Sequence, residues 1–168
     1  IDVSVLSQPC VDGFPLMPNL CKLWVDTGRT ALLLSLQEID RQGGVKKALL
    51  PAYICPSVIA PFLKSGFQLR FYNYAKLADA PHPENGETVL FAHYFGKKNT
   101  SAIEWVKYLQ AEHQIFVIED CVQASLNANL GETGDFVITS YRKFLPQPDG
   151  AILGTCNEIP CDVLENSD

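Results

Sequence analysis

Short apolar runs alternating with amphipathic segments predict an α/β fold: a mostly parallel sheet held between two layers of helices. Three observations carry this. Runs such as Lys47–Pro51 and 87–92 have strand length and are apolar almost throughout, as strands covered on both faces must be. Helix-length segments with apolar residues three and four apart stand between such runs, giving the strand, loop, helix order of parallel βαβ units. Finally, 168 residues with 47% hydrophobic and 19% charged side chains suit a folded domain with a sizeable core.

Residues 1–22 carry Pro9, Pro15 and Pro18 among scattered hydrophobes and read as a loop or an arm lying on another surface. Trp24 and Val25 lead into a helix over 29–42, where Ala31, Leu32, Leu34, Leu36 and Ile39 line one face and Gly43-Gly44 end it. The start of this helix, at Thr27, Gly28, Arg29 and Thr30, is a candidate anion site. Free backbone N–H groups and the positive end of the helix dipole converge there, and Gly28 permits close approach. The same residues also read as an ordinary Thr or Asp cap beside a glycine.

Lys47–Pro51 is the next strand, followed by Tyr53 and Cys55 and by a helix from Pro56 that Gly66 ends. Strands over Gln68–Tyr72 and 87–92 flank a turn-rich stretch with Pro81, Pro83 and Asn85-Gly86. His93, at a strand end, reads as a hydrogen-bonded structural residue. A helix over 100–113 places Ile103, Val106 and Leu109 on one side, with Thr100 as its N-cap.

Residues 115–151 hold two strands that each end in groups able to do chemistry. The first ends at Glu119-Asp120; the second, 136–139, runs into Ser140-Tyr141-Arg142-Lys143 and a loop with Pro146, Pro148 and Gly150. Ligands of open parallel sheets sit beyond the carboxyl ends of the strands, so Asp120 and Lys143 are expected to share a crevice. An amine and a carboxylate there suit a cofactor with a carbonyl and a basic ring nitrogen. Taken singly, Asp120 also reads as a helix cap and Arg142-Lys143 as a solvated basic pair.

In order along the chain, Glu119-Asp120, Gln123, Gly134-Asp135, Ser140-Tyr141, Lys143 and Gly150 resemble the core of the DegT/StrS family of pyridoxal-phosphate-dependent sugar aminotransferases. The resemblance extends weakly over 25–154. It implies the large domain of an aspartate aminotransferase-like fold over 23–155, with 156–168 leading to a smaller C-terminal domain, so that the chain looks cut from a longer enzyme. It further implies pyridoxal 5'-phosphate as cofactor, Lys143 as the Schiff-base lysine and Asp120 against the ring nitrogen. Gly28, Arg29, Cys55, Gln123 and Ser140 complete the implied cofactor contacts. Three positions depart from the family pattern: Arg29 replaces a small hydroxyl, Cys55 stands where an aromatic ring usually stacks on the cofactor, and Ser140 lies three residues before Lys143 where the family has five. His93-Tyr94-Phe95-Gly96 resembles the family's His-x-Tyr-Gly. Relatives that dehydrate their substrate carry His at the lysine position, so Lys143 points to transamination. The implied partners are an amino donor such as glutamate, a keto-sugar nucleotide as acceptor, and a second copy in a homodimer.

A formal net charge of -6 argues against nucleic acid as a partner. The six cysteines, Cys10, Cys21, Cys55, Cys121, Cys156 and Cys161, lack Cys-x-x-Cys spacing and follow nothing like a leader, which suits reduced thiols in a cytoplasmic protein with no metal. No apolar run approaches the ~20 residues of a membrane helix. Two other readings stay open: a non-catalytic α/β phosphate-binding module using the helix start at Gly28, and a relative that keeps the fold without activity. About six strands against three helices leave part of the sheet uncovered, so residues 1–168 alone are expected to self-associate.

Overall fold

The computed structural model describes residues 20–127 and 130–156. Its strands are β1 (Cys21–Val25), β2 (Lys47–Pro51), β3 (Gln68–Tyr72), β4 (Thr88–Ala92), β5 (Phe116–Asp120), β6 (Phe136–Ile138) and β7 (Ala151–Thr155), and its helices α1 (Gly28–Arg41), α2 (Pro56–Lys64) and α3 (Thr100–Glu112). The strands form one sheet in the order β1-β7-β6-β5-β4-β2-β3. Pairings among β2 to β6 are parallel, whereas β7 runs antiparallel to both β6 and β1.

Successive residues of the central strands face opposite layers, which explains their unbroken apolar character. Leu50, Leu90 and Ile118 pack with α1 and α2 residues such as Leu32, Leu36 and Phe62. Their neighbours Leu49, Val89 and Val117 pack with Ala102, Val106 and Leu109 of α3. The layers are therefore helix, sheet, helix, and β4 and β7 are buried along their whole length.

Four expectations change. The sheet has seven strands among the described residues, because β1 begins at Cys21, inside the segment expected to be an arm; the rest of that segment, 1–19, and residues 157–168 of the expected tail lie outside the described residues. Asn99, not Thr100, caps α3, its side chain accepting from the Ala102 N–H at 3.1 Å. The central sheet is not left bare by the shortage of helices, since the chain after β5 packs Cys121, Ala124 and Leu130 onto Val137 and Ile152. Among the described residues no α-helix follows Asp120 to be capped; its Oδ1 instead accepts from the Val122 N–H at 2.9 Å and closes a turn. No helix among the described residues is long and apolar enough to cross a membrane.

Candidate functional site

A cavity of about 540 Å³ opens at the carboxyl ends of the parallel strands. The start of α1 supplies Thr27, Gly28 and Arg29; the loop after β2 supplies Tyr53 and Cys55; β5 and its turn supply Asp120, Val122 and Gln123; and Ser140 and Lys143 follow β6. All seven candidate residues, Gly28, Arg29, Cys55, Asp120, Gln123, Ser140 and Lys143, thus line one space.

The α1 end is capped as a helix of this composition requires: the Thr27 hydroxyl accepts from the Thr30 N–H at 3.2 Å. Gly28 is held here by no demand of its own backbone, which lies outside the left-handed region. A Cβ at this position would meet Val122, Ile138 and Ser140 at 3.5, 3.6 and 3.7 Å, ordinary contacts, so the glycine chiefly keeps the cavity floor clear. The short Ser140 to Lys143 spacing is taken up by a single 3-10 turn over Tyr141–Lys143, which keeps Ser140 buried beside Gly28 while carrying Lys143 to the rim. Lys143 is exposed, because that turn places it at the open side of the cavity.

Asp120 sits half-buried in the cavity wall. Burial raises its pKa, against the pull of the Val122 N–H and of His93 and Lys143. A carboxylate so placed gains from a cationic or donating partner in the cavity. Cys55 occupies the N-cap position of α2, is exposed, and accepts from the Ser57 hydroxyl at 3.0 Å. That hydrogen bond lowers the thiol pKa, with a smaller contribution from nearby Lys143.

Glu119 and His93 are structural, as read for His93. Both are buried. His93 Nδ1 accepts from the Asn99 N–H at 3.0 Å, which leaves the proton on Nε2 to be donated to Glu119 at 2.8 Å. Glu119 also accepts from the N–H groups of Gly131, Thr133 and Gly134 at 2.8, 3.0 and 3.0 Å, so it pins the 131–134 loop to β5. His93, Glu119 and Cys121 lie within metal-binding distance of one another, but the donors of that loop and His93 already occupy the carboxylate. Gly134-Asp135 is explained the same way: a Cβ on Gly134 would lie 2.7 Å from Glu119, and Asp135 accepts from the Val117 N–H at 2.8 Å.

Sequence reading passed over Tyr94 and Ser57. The Tyr94 hydroxyl donates to the Tyr53 carbonyl at 2.6 Å, fixing the loop that carries Cys55, and its ring forms part of the cavity wall. Burial, and then the charge of Asp120, push the Tyr94 pKa upward, so it stays a neutral donor. Its place after His93 was the available signal. Gln123 is also committed differently from expectation, its Oε1 accepting from the Phe95 N–H at 3.2 Å while its side chain borders the cavity.

No protein-family model matches the chain, and no curated protein matches it in sequence. Solved structures do. NtdA from Bacillus subtilis, crystallised with bound cofactor PMP, is 19% identical with a TM-score of 0.67, over 82% of this chain and 34% of that one. PseC from Helicobacter pylori, an aminotransferase of pseudoaminic acid biosynthesis, is 15% identical with a TM-score of 0.68, over 88% of this chain and 42% of that one. GDP-4-keto-6-deoxymannose-3-dehydratase, ColD, crystallised with bound GDP-perosamine, is 16% identical with a TM-score of 0.65, over 82% of this chain and 40% of that one. This chain therefore spans less than half the length of each, and within that span it has their fold, a mostly parallel seven-stranded sheet between layers of helices.

Proposed function

We propose that this chain is the cofactor-binding portion of a pyridoxal-phosphate-dependent aminotransferase acting on the keto group of a nucleotide-linked sugar. The observation that carries the reading is the convergence of Asp120, Lys143 and the Gly28 end of α1 on one cavity from three separate stretches of chain. The residues fit the cofactor. Gly28 keeps clear a floor beside free N–H groups where a phosphate would lie, and the raised pKa of Asp120 suits a carboxylate awaiting a protonated ring nitrogen. When bound, pyridoxal phosphate supplies the aldehyde and the electron-withdrawing ring on which transamination depends.

The chain's own residues divide the rest. Arg29 and Ser140, with the α1 backbone, would hold the phosphate end, Asp120 would keep the ring nitrogen protonated, and Gln123 and Cys55 would border the ring; all of them line the one cavity. Lys143 Nζ would be the amine that holds the cofactor's aldehyde end and would move the proton at the substrate carbon. The strands from β1 to β7 with their helices form the large domain. Glutamate serves as amino donor, and the working form is a cytoplasmic homodimer. A phosphate-binding module without chemistry would use the α1 start and leave Asp120 and Lys143 without a task.

The test is the absorbance spectrum of the full-length protein with pyridoxal phosphate, followed by borohydride reduction and peptide mapping. Label on Lys143, abolished in Lys143→Ala, is expected. Label on another residue, or none, overturns the reading.

A further inference from the structure

The chain has three histidines, and they spend their ring nitrogens differently. His93 uses both inside the protein, one on Glu119 and one on the Asn99 N–H. His82 and His113 use neither: among the described residues no hydrogen bond or ion pair reaches either imidazole, and their contact is with each other. They stand before β4 and β5, at the amino ends of the parallel strands and so at the end of the sheet opposite the cavity. His82 is exposed and His113 half-buried.

Both rings are carried by fixed backbone. His82 lies between Pro81 and Pro83, which restrict the chain on either side, and its carbonyl accepts from Arg70 Nη2 at 3.0 Å while Arg70 is itself held by the buried Glu87. His113 closes α3, its N–H donating to the Leu109 carbonyl at 2.8 Å. The two turns are then laced to each other: the Gln114 N–H donates to Asn85 Oδ1 at 3.0 Å, and the Gly86 N–H to the Gln114 carbonyl at 2.6 Å. The imidazoles consequently meet with centroids 6.1 Å apart and planes inclined at 68°. An ion about 2.1 Å from a ring nitrogen lies about 3 Å from the centre of that ring, so two imidazoles sharing one ion stand about 5–6 Å apart. The observed gap is at the wide end of that range, and the exposed His82 ring has room to close it. Glu112, exposed and in no ion pair among the described residues, adjoins His113 and favours a cation there.

We propose that His82 and His113 together bind one divalent transition-metal ion, zinc above all, since neutral imidazole is the ligand that suits such ions best. The ion clips the end of α3 to the turn before β4. It lies at the far end of the sheet from Asp120 and Lys143 and takes no part in chemistry there, so the proposal stands apart from the aminotransferase reading. Two protein ligands leave the other coordination positions to water, and half of a closed four-ligand site corresponds to a Kd of about 1–100 µM.

Zinc chloride titrated calorimetrically into the full-length protein, with the histidine ring signals followed by NMR, tests this. The His82 and His113 signals should move together at one equivalent, and that of His93 should stay. His82→Gln and His113→Gln should each weaken binding about tenfold or more and abolish the rise in melting temperature that zinc gives the parent, while melting like the parent without zinc. Both variants should keep the cofactor spectrum. No binding at millimolar zinc, binding indifferent to both substitutions, as zinc carried on thiols would be, or loss with one substitution and not the other would overturn the proposal. The NMR measurement needs no substitution, so stationary His82 and His113 signals overturn it even where a variant proves unstable.

Discussion

At Asp120, stability and function pull in opposite directions. Burial raises its pKa, and a carboxyl raised in the folded state contributes stability below its unfolded pKa that is lost as pH rises through the folded value. The cofactor-free protein should therefore lose stability as pH climbs out of the ordinary aspartate range, and Asp120→Asn should melt a few degrees higher at neutral pH while binding pyridoxal phosphate poorly. Thermal melts of both proteins, with and without cofactor, check this. Glu119 has the opposite sign. Burial opposes its ionisation, but His93 and the Gly131 and Gly134 N–H groups outweigh it and leave the pKa below the usual glutamate range. Its contribution is complete above that range and fades only as pH falls through the lowered folded value. Glu119→Ala would strand His93 Nε2 and three backbone donors, costing ~3–5 kcal/mol in urea unfolding at neutral pH.

Two glycines at the ends of elements separate packing from binding. Gly28→Ala meets only ordinary contacts at the first residue of α1, so stability should hold or rise by up to about 1 kcal/mol while cofactor affinity falls severalfold in a fluorescence titration. Gly134→Ala puts a methyl 2.7 Å from both the Glu119 side chain and the Phe136 carbonyl, and should cost about 3 kcal/mol in the same unfolding assay whatever is bound. In the sequence these two glycines looked alike. Elements with a strong local signature were legible: α1 between Thr27 and Gly43, α2 from Pro56, and the strands buried on both faces. β1 was not, because Cys21–Val25 is a strand only through its pairing with β7. The turn that brings Lys143 to the cavity and the left-handed Phe95 were equally hidden, since neither follows from the propensity of its residues; the Tyr141 N–H donating to the Gly150 carbonyl and the Phe95 N–H donating to Gln123 hold them from outside. The cavity itself was legible as a list of residues, but the meeting of His82 and His113 was not.

At the scale of the molecule, the central sheet is covered, yet Leu126, Phe144 and Leu145 stay 61%, 41% and 46% exposed. Residues 1–168 expressed alone should still self-associate, and Phe144→Ser with Leu145→Ser should shift the sedimentation profile toward monomer. The antiparallel seam between β1 and β7 has a further consequence. It joins strands from opposite ends of the described chain, so the loop that must close to form it is the longest in the sheet, and the entropy of that closure delays it. α1 begins only a turn beyond β1, and the Gly150 N–H reaches back to the Asp26 carbonyl at 2.7 Å across the same seam. During refolding, pulse-labelled amides of β1 should gain protection after those of β4 and β5. The α1 end of the cavity would then be the last part of the protein to acquire its shape, and any anion binding there would act on the closing step of folding.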